Sequence, residues 1–269
     1  MPDTPAPMPW ALILGSSSGF GEATSRELAR CGLNIFGVHF DRRATLPHVE
    51  EVIAAIRAAG RDPVFFNINA ADAFKRSDAL SQMQAHWSAR GGDHFIKVVL
   101  HTIAFGALKP YLADSPENEL TQSQLEMTLD VMGNNLVYWV QELFRRKMLR
   151  AGSRIYALTS AGGHSVIPSY GAVSAAKAVL ESHIRQLAYE LMPHGITANA
   201  IQAGVTVTPG ASKIPGFEKL AEFAQMRNPA GRLTTPQDVA KAIAALMSDH
   251  SHWITGNVIR VDGGEDIVT

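Results

Sequence analysis

Short β-branched or apolar runs alternate with longer amphipathic ones along the 269 residues, and this order restricts the fold more than any other feature. WALILG, from Trp10, precedes a helical stretch from about Phe20 to Cys31. NIFGVHF, from Asn34, precedes VEEVIAAIRAAG, which stops on Gly60. PVFFNI is followed by a helix from about Ala73 to Arg90, and IKVVLHTIA by a loop with Pro110 and Pro116 and a long helix over roughly residues 122–149. RIYALTS leads to a helix that contains Lys177 and runs to about Met192. ITANAIQAG leads to a loop rich in Gly and Pro, a helix opened by Thr235 and Pro236, and a last strand in NVIRVDGG. Strands separated by helices pair in parallel through right-handed crossovers. The expected architecture is therefore α/β: a single doubly wound domain over residues 10–269, its mainly parallel seven-stranded sheet covered by helices on both faces. The Pro-rich residues 1–9 read as a disordered arm.

Composition removes several function classes. Apolar residues make up 46% and charged residues 18%, as in a globular protein with a sizeable core. A net charge of -1 gives no footprint for nucleic acid or an anionic membrane, and Arg145, Arg146, Lys147 and Arg150 close the long helix, where cations suit its dipole. No apolar run approaches the roughly 20 residues needed to cross a bilayer. MPDTPAPMP lacks the basic-then-apolar order of a signal peptide. The one cysteine, Cys31, reads as a small core residue, and the lack of any internal disulfide suits a reducing, cytoplasmic setting. The histidines show no pairing that suggests a metal.

In sheets of this type ligands bind at the carboxyl ends of the strands. The first strand runs into GSSSGFGEATSREL, with Gly15, Gly19 and Gly21 where a helix begins. Glycines here let the chain turn tightly and let a pyrophosphate approach the free amides of the helix terminus. The turn, with Ser16 and Phe20 inside it, is thus a candidate dinucleotide site. At the end of the second strand stand His39, Asp41, Arg42 and Arg43. The guanidinium groups suit a 2′-phosphate and Asp41 suits a free ribose, so NADPH is expected with NADH left open.

Tyr170 and Lys177 stand seven residues apart, with Ser160 ten residues before the tyrosine. On a helix that spacing returns both side chains to one face, about 10 Å apart along the axis. A neighbouring ammonium lowers the pKa of a phenol, so the pair reads as an acid for a developing oxyanion. His101 reads as a strand-end residue satisfied by backbone, not as an acid.

From Leu12 to about Asp266 these segments resemble the short-chain dehydrogenase/reductases. The superfamily's usual Tyr-x3-Lys and Asn-Asn-Ala-Gly segments are absent. Six residues separate Tyr170 from Lys177, the fourth strand ends in LHTIAFG, and the sixth continues as AIQAGVTVTPGASKI. All three are similar to segments of the enoyl-acyl-carrier-protein reductases of bacterial fatty-acid synthesis, which read like VHSIAF, IPNY-x6-K and AISAG-x4-T.

The resemblance implies a Rossmann fold and reduction of the 2,3 double bond of an enoyl thioester carried on acyl carrier protein or coenzyme A. It puts Tyr170 on the thioester carbonyl and Lys177 on the nicotinamide ribose. Thr208, in the run after Gly204, would meet the pyrophosphate or carboxamide, with Ser16 a further contact. Ile103 and Ala104 would border the cofactor, and Asn67 with Ile68 would flank the adenine. It also implies a homotetramer, and Leu136, Val137, Trp139, Val140, Leu143 and Phe144 offer more apolar surface than one helix face needs.

Residues 207–228 suit a lid over an acyl chain, with Phe105, Tyr111, Ile167, Ile214 and Phe217 around the same pocket. Two departures stand out: Ser160 and Val166 occur where these reductases carry a second tyrosine, and Met132 stands where the wider superfamily has an asparagine. The competing expectations are a carbonyl reductase of the same superfamily and a dinucleotide sensor without turnover.

Overall fold

Strands that are apolar at every position must be covered on both faces, and parallel pairing provides that cover. The computed structural model describes residues 7–268. Its strands are β1 (Met8–Leu14), β2 (Asn34–His39), β3 (Pro63–Asn67), β4 (His94–His101), β5 (Arg154–Ser160), β6 (Thr197–Ala203) and β7 (Val258–Val261). They form one parallel sheet in the order β3-β2-β1-β4-β5-β6-β7. Its helices are α1 (Gly19–Arg30), α2 (Leu46–Ala58), α3 (Ala73–Arg90), α4 (Gln122–Leu129), α5 (Asn135–Arg145), α6 (Gly171–Leu191), α7 (Phe217–Arg227) and α8 (Pro236–Leu246).

The alternation along each strand sorts the core into two layers. Trp10, Leu12, Val99, Ile155 and Ala157 face α3, α5 and α6, where Leu80, Met83, Trp139, Leu143, Leu180 and Ile184 meet them. Ala11, Ile13, Val98, Leu100, Tyr156 and Ile201 face the other way, onto Leu28 of α1, Val52 and Ile56 of α2, and Val239 and Ile243 of α8. The Thr235–Asp238 capping box starts α8 where its sequence calls for it. Among the described residues no helix is long and apolar enough to cross a membrane.

Four expectations need correction. Met8 and Pro9 belong to β1 and not to an arm; residues 1–6 lie outside the described residues. The long helix ends at Arg145, and a π-helical turn over Asp130–Asn134 divides it into α4 and α5. Cys31 is exposed at the end of α1, because the buried face of that helix is filled by Ala23, Leu28 and Ala29. The apolar excess on α5 is mostly absorbed within the chain: Leu136, Trp139, Val140 and Leu143 are buried, and Trp139 donates its indole N–H to the Ala70 carbonyl at 3.0 Å. Two of the four basic residues are likewise engaged, Arg146 with Ser77, Ser81, Gln84 and Glu142, and Arg150 with Asp93 at 2.7 Å.

Where α1 leaves β1 the backbone is at its tightest. A β-carbon on Gly21 would stand 1.9 Å from the Gly15 carbonyl oxygen. Gly21→Ala should therefore lower unfolding free energy by about 3 kcal/mol, read as a shift of the urea midpoint, because rigid backbone cannot give way. An unchanged midpoint would mean that the turn is looser than described.

Candidate active site

The strand order reverses between β1 and β4, so the connections that leave their paired carboxyl ends part and leave a crevice above them. Gly15 sits in it with φ 97°, and a β-carbon there would stand 2.9 Å from the Thr102 carbonyl. Only glycine meets both conditions. At the start of α1, Ser18 makes no side-chain bond to the first turn, so the amides beside Gly19 and Phe20 stay available to an anion. Thr208 closes the turn from the other side, since a β-carbon on Gly19 would lie 3.2 Å from its methyl group. A side-chain-free turn, open helix amides and a crevice at the switch point fit a dinucleotide.

Some residues expected around this cradle do other work. Ser16 is buried, and its hydroxyl donates to the Val38 carbonyl at 3.3 Å. Phe20 packs on the α1, α2 and α8 layer. Asn67 is tied to the backbone of Asp41, accepting from its N–H at 2.9 Å and donating to its carbonyl at 3.0 Å. Ile68 and Ile103 pack on the core, while Ala104 lies beneath Gly210. Arg42 and Arg43 are exposed.

His39, also buried, stands with Nδ1 3.0 Å from the Asp41 carboxylate, and the Thr45 hydroxyl donates to Asp41 at 2.7 Å. Burial alone would raise the Asp41 carboxyl; hydrogen bonding by Ser17, Thr45 and His39 outweighs it and holds the group below its ordinary value. A fixed carboxylate thus borders the cradle, next to the glycine turn.

The second half of the site lies at the carboxyl end of β5. Tyr170 is the residue before α6 and not part of it, so the shared helical face expected for the pair is not what aligns them. Ser169, just before it, holds a left-handed φ of 60°, a local strain of order 1 kcal/mol that the surrounding packing must maintain. Ser174 donates to the Gly162 carbonyl and pins this loop to the helix. A β-carbon on Gly162 would stand 2.7 Å from the Tyr170 ring and 3.3 Å from Ser160 Oγ, which brings serine and phenol together around one glycine. The buried Ser160 hydroxyl makes no fully formed hydrogen bond, yet it stands close enough to the phenol to favour its ionised form.

Lys177 is only 6% exposed and donates to the Leu158 carbonyl at 2.6 Å. Burial lowers its pKa to about 8, against the pull of Glu181. Tyr170, 9% exposed, has its pKa raised by burial, with Ser160 offsetting part of the rise. The expectation that the lysine lowers the phenol is therefore corrected: desolvation wins, and the hydroxyl stays a proton donor. His101 is fully buried, and burial with the nearby Lys177 lowers its pKa to about 3. The Val131 backbone offsets part of that fall, in line with the expectation of a backbone partner, although neither ring nitrogen makes a fully formed hydrogen bond.

Around Tyr170 the surface is apolar. Met132, Val173 and Ala176 form a buried cluster with it, and Leu108, Ile167 and Ile214 pack against that cluster. Tyr111 covers Gly171, close enough that a β-carbon there would lie 2.6 Å from its ring. Phe105 is 63% exposed, and Phe217 does not join the cluster. Sequence reasoning missed Gly162, for which the Gly-Gly pair was a usable sign. It also missed the Leu158 carbonyl, which side-chain identity cannot announce.

Comparison with known proteins places this geometry in a family. Residues 15–265 match the model of the enoyl-(acyl carrier protein) reductase family. An enoyl-[acyl-carrier-protein] reductase [NADH] of Aquifex aeolicus is 32% identical over a segment covering 64% of this chain and 63% of that protein. An uncharacterized oxidoreductase of Bacillus subtilis is 29% identical over 94% of this chain and 95% of its own. The crystal structure of the Aquifex aeolicus reductase superposes with a TM-score of 0.82 over 97% of both chains at 24% identity, a likeness of fold. With its glycine cradle at the switch point and its Tyr170–Lys177 pair at the end of β5, the chain belongs to the enoyl-(acyl carrier protein) reductase family, within the short-chain dehydrogenase/reductases.

Proposed function

We propose that the chain reduces the 2,3 double bond of an enoyl thioester, with Tyr170 as proton-donating partner of the thioester carbonyl. The observation that carries this reading is a buried, protonated phenol standing in an apolar cluster, with the ammonium of Lys177 withdrawn to the Leu158 carbonyl. Reduction of a ketone delivers hydride and proton to adjacent atoms. Reduction of an enoyl thioester sends hydride to carbon 3 while charge collects on the oxygen at carbon 1, so the acid must stand further from the hydride source.

The dinucleotide, when bound, supplies that hydride. Tyr170 donates a hydrogen bond to the carbonyl oxygen and stabilises the enolate, and carbon 2 then takes a proton from bulk solvent, which leaves the phenol as it began. Lys177, with Gly15, Gly19 and Thr208, would hold the dinucleotide, and its positive charge favours the oxyanion. Ile167 and Ile214 shield the hydride step from water. Residues 207–228, which present Phe223 and Met226 to solvent, form the lid over the acyl chain, carried on acyl carrier protein or coenzyme A. A homotetramer in the cytoplasm follows from the family resemblance.

The Asp41 carboxylate supports NADH over the NADPH expected from Arg42 and Arg43. Held by His39 and Thr45, it repels a 2′-phosphate and accepts from a free ribose hydroxyl. The relative's NADH in its name agrees. A second reading, carbonyl reduction, rests on the buried Ser160 hydroxyl beside Tyr170, which offers a carbonyl oxygen a second donor.

The deciding assay follows NADH oxidation with a crotonyl-type thioester against a 3-ketoacyl thioester. Faster turnover of the enoyl compound is expected, and the reverse order would establish the second reading. NADH should exceed NADPH in kcat/KM by about tenfold, with Asp41→Ala removing the preference. A wild-type enzyme that favours NADPH would refute the role given to Asp41.

Tyr170→Phe should lower kcat by about 10²-fold and leave the dissociation constant for NADH unchanged, as loss of one oxyanion donor does. Normal turnover in that variant would remove Tyr170 from the mechanism. With a pKa of about 8, Lys177 loses its charge as pH rises through that value, whereas Tyr170, shifted upward, stays protonated. The pH profile of kcat/KM for NADH should thus descend near pH 8, and the residual activity of Tyr170→Phe should keep the same limb. A limb that vanishes with the phenol would assign it to Tyr170 instead.

A further inference from the structure

Beyond β7 the chain turns back beneath the loop that follows β6. Asp262 accepts from the N–H of Gly264 at 2.9 Å and from that of Asp266 at 3.0 Å, and this tight turn drives Glu265 inward to 2% exposure. Both carboxylate oxygens meet one donor, the Val205 N–H, at 3.2 and 3.1 Å. The carboxylate also lies directly on Gly204. A β-carbon there would stand 2.8 Å from Glu265 Oε2 and 2.4 Å from the Thr234 hydroxyl. Val205 opens the run that leads to Thr208, and Thr208 closes the glycine turn of the cradle. Glu265 thus holds one end of the short segment 205–208, whose other end meets Gly19.

A buried carboxylate is a costly way to fill space, and an apolar side chain of similar volume would do so at less cost. Burial, with Asp262 and Asp266 adding to it, raises the Glu265 carboxyl, against the Val205 N–H and the Arg227 guanidinium. Arg227 closes α7 with its Nε buried and unpartnered, and it acts on this group through its charge. The group keeps its place because it holds a backbone N–H that no apolar side chain can hold.

We propose that Glu265 is a positioning residue for the dinucleotide: its side-chain oxygens grip Val205 and seat on Gly204, fixing the loop from Gly204 to Thr208 against the glycine cradle. It acts through that loop and touches no reacting atom. The proposal rests on the cradle taking a dinucleotide, which binding to the unaltered chain tests separately.

The test is NADH binding by fluorescence titration, with steady-state kinetics, for Glu265→Ala, Glu265→Asp and Glu265→Gln. Glutamine keeps an acceptor at the right reach, whereas aspartate keeps the charge but falls one carbon short. Glu265→Ala and Glu265→Asp should weaken NADH binding by about tenfold and leave kcat at saturating NADH within about twofold, while Glu265→Gln should bind within about threefold of the unaltered chain. If alanine does not fold, the aspartate and glutamine pair decides. Aspartate binding as tightly as wild type, or glutamine as weakly as alanine, overturns the strut. An unaltered chain that binds no NADH overturns both the strut and the cofactor reading, whereas a binding wild type with indifferent variants overturns the strut alone.

Discussion

The pairing of β1 with β4 is the constraint on which the rest of the molecule depends. The two strands run in register from Ala11 beside Val98 to Leu14 beside His101, with β2 and β3 added on one side and β5, β6 and β7 on the other. Because the connections leave in opposite directions from this pair, no crossover covers its carboxyl end. The gap is not an absence of packing that evolution must excuse but a necessary product of the winding. Glycine is required at its floor, where Gly15 passes the Thr102 carbonyl, and the same closeness aims the first turn of α1 across it. Cofactor cradle and sheet topology are thus one fact seen at two scales.

Polar groups enter the interior at both ends of the sheet: Arg154, which starts β5, is 1% exposed with its Nε unpartnered, and others stand toward the gap. Lys177 and Glu265 are buried with one backbone group each as a hydrogen-bonding partner, and His101 and Asn135 are buried with side-chain nitrogen or oxygen atoms unpartnered. The last two depart from the rule that buried polar groups are satisfied, as do Arg76, Arg154 and Thr197 elsewhere in the fold. Those beside the gap fall where a fold gives up stability for a site. The π-helical turn at Asp130–Asn134 belongs with them: it interrupts a helix beside the cluster that holds Tyr170, at Met132.

The sequence made the architecture legible because strand and helix periods differ and the apolar runs obey them. Boundaries set by side-chain chemistry, such as the Thr235 cap, were equally plain. The π turn was not, since Asp-Val-Met-Gly-Asn has no local sign that its hydrogen bonds lengthen by one residue; Gly133, packed against Val179, is a tertiary requirement. At the site, the spacing of Tyr170 and Lys177 identified the pair but misjudged its electrostatics. Side-chain spacing says nothing of how deep a group is buried or which carbonyl accepts its hydrogen bond, and here burial raises the phenol while the ammonium donates to Leu158. Ser16 and Phe20 looked like ligand contacts because they lie within the glycine turn. Backbone direction turned both inward, and only neighbouring strands fix that direction.

The exposed thiol at the end of α1 has a use apart from any chemistry of its own. Cys31 is the one cysteine of the chain, and the helix that ends on it begins at the glycine cradle. Twelve helical residues separate the two ends by about 18 Å. A dye coupled to Cys31 would therefore be a single, stoichiometric reporter standing clear of the crevice yet within range of energy transfer from a reduced nicotinamide. The protein carries its own ruler for the distance between the outer surface and whatever occupies the gap between β1 and β4.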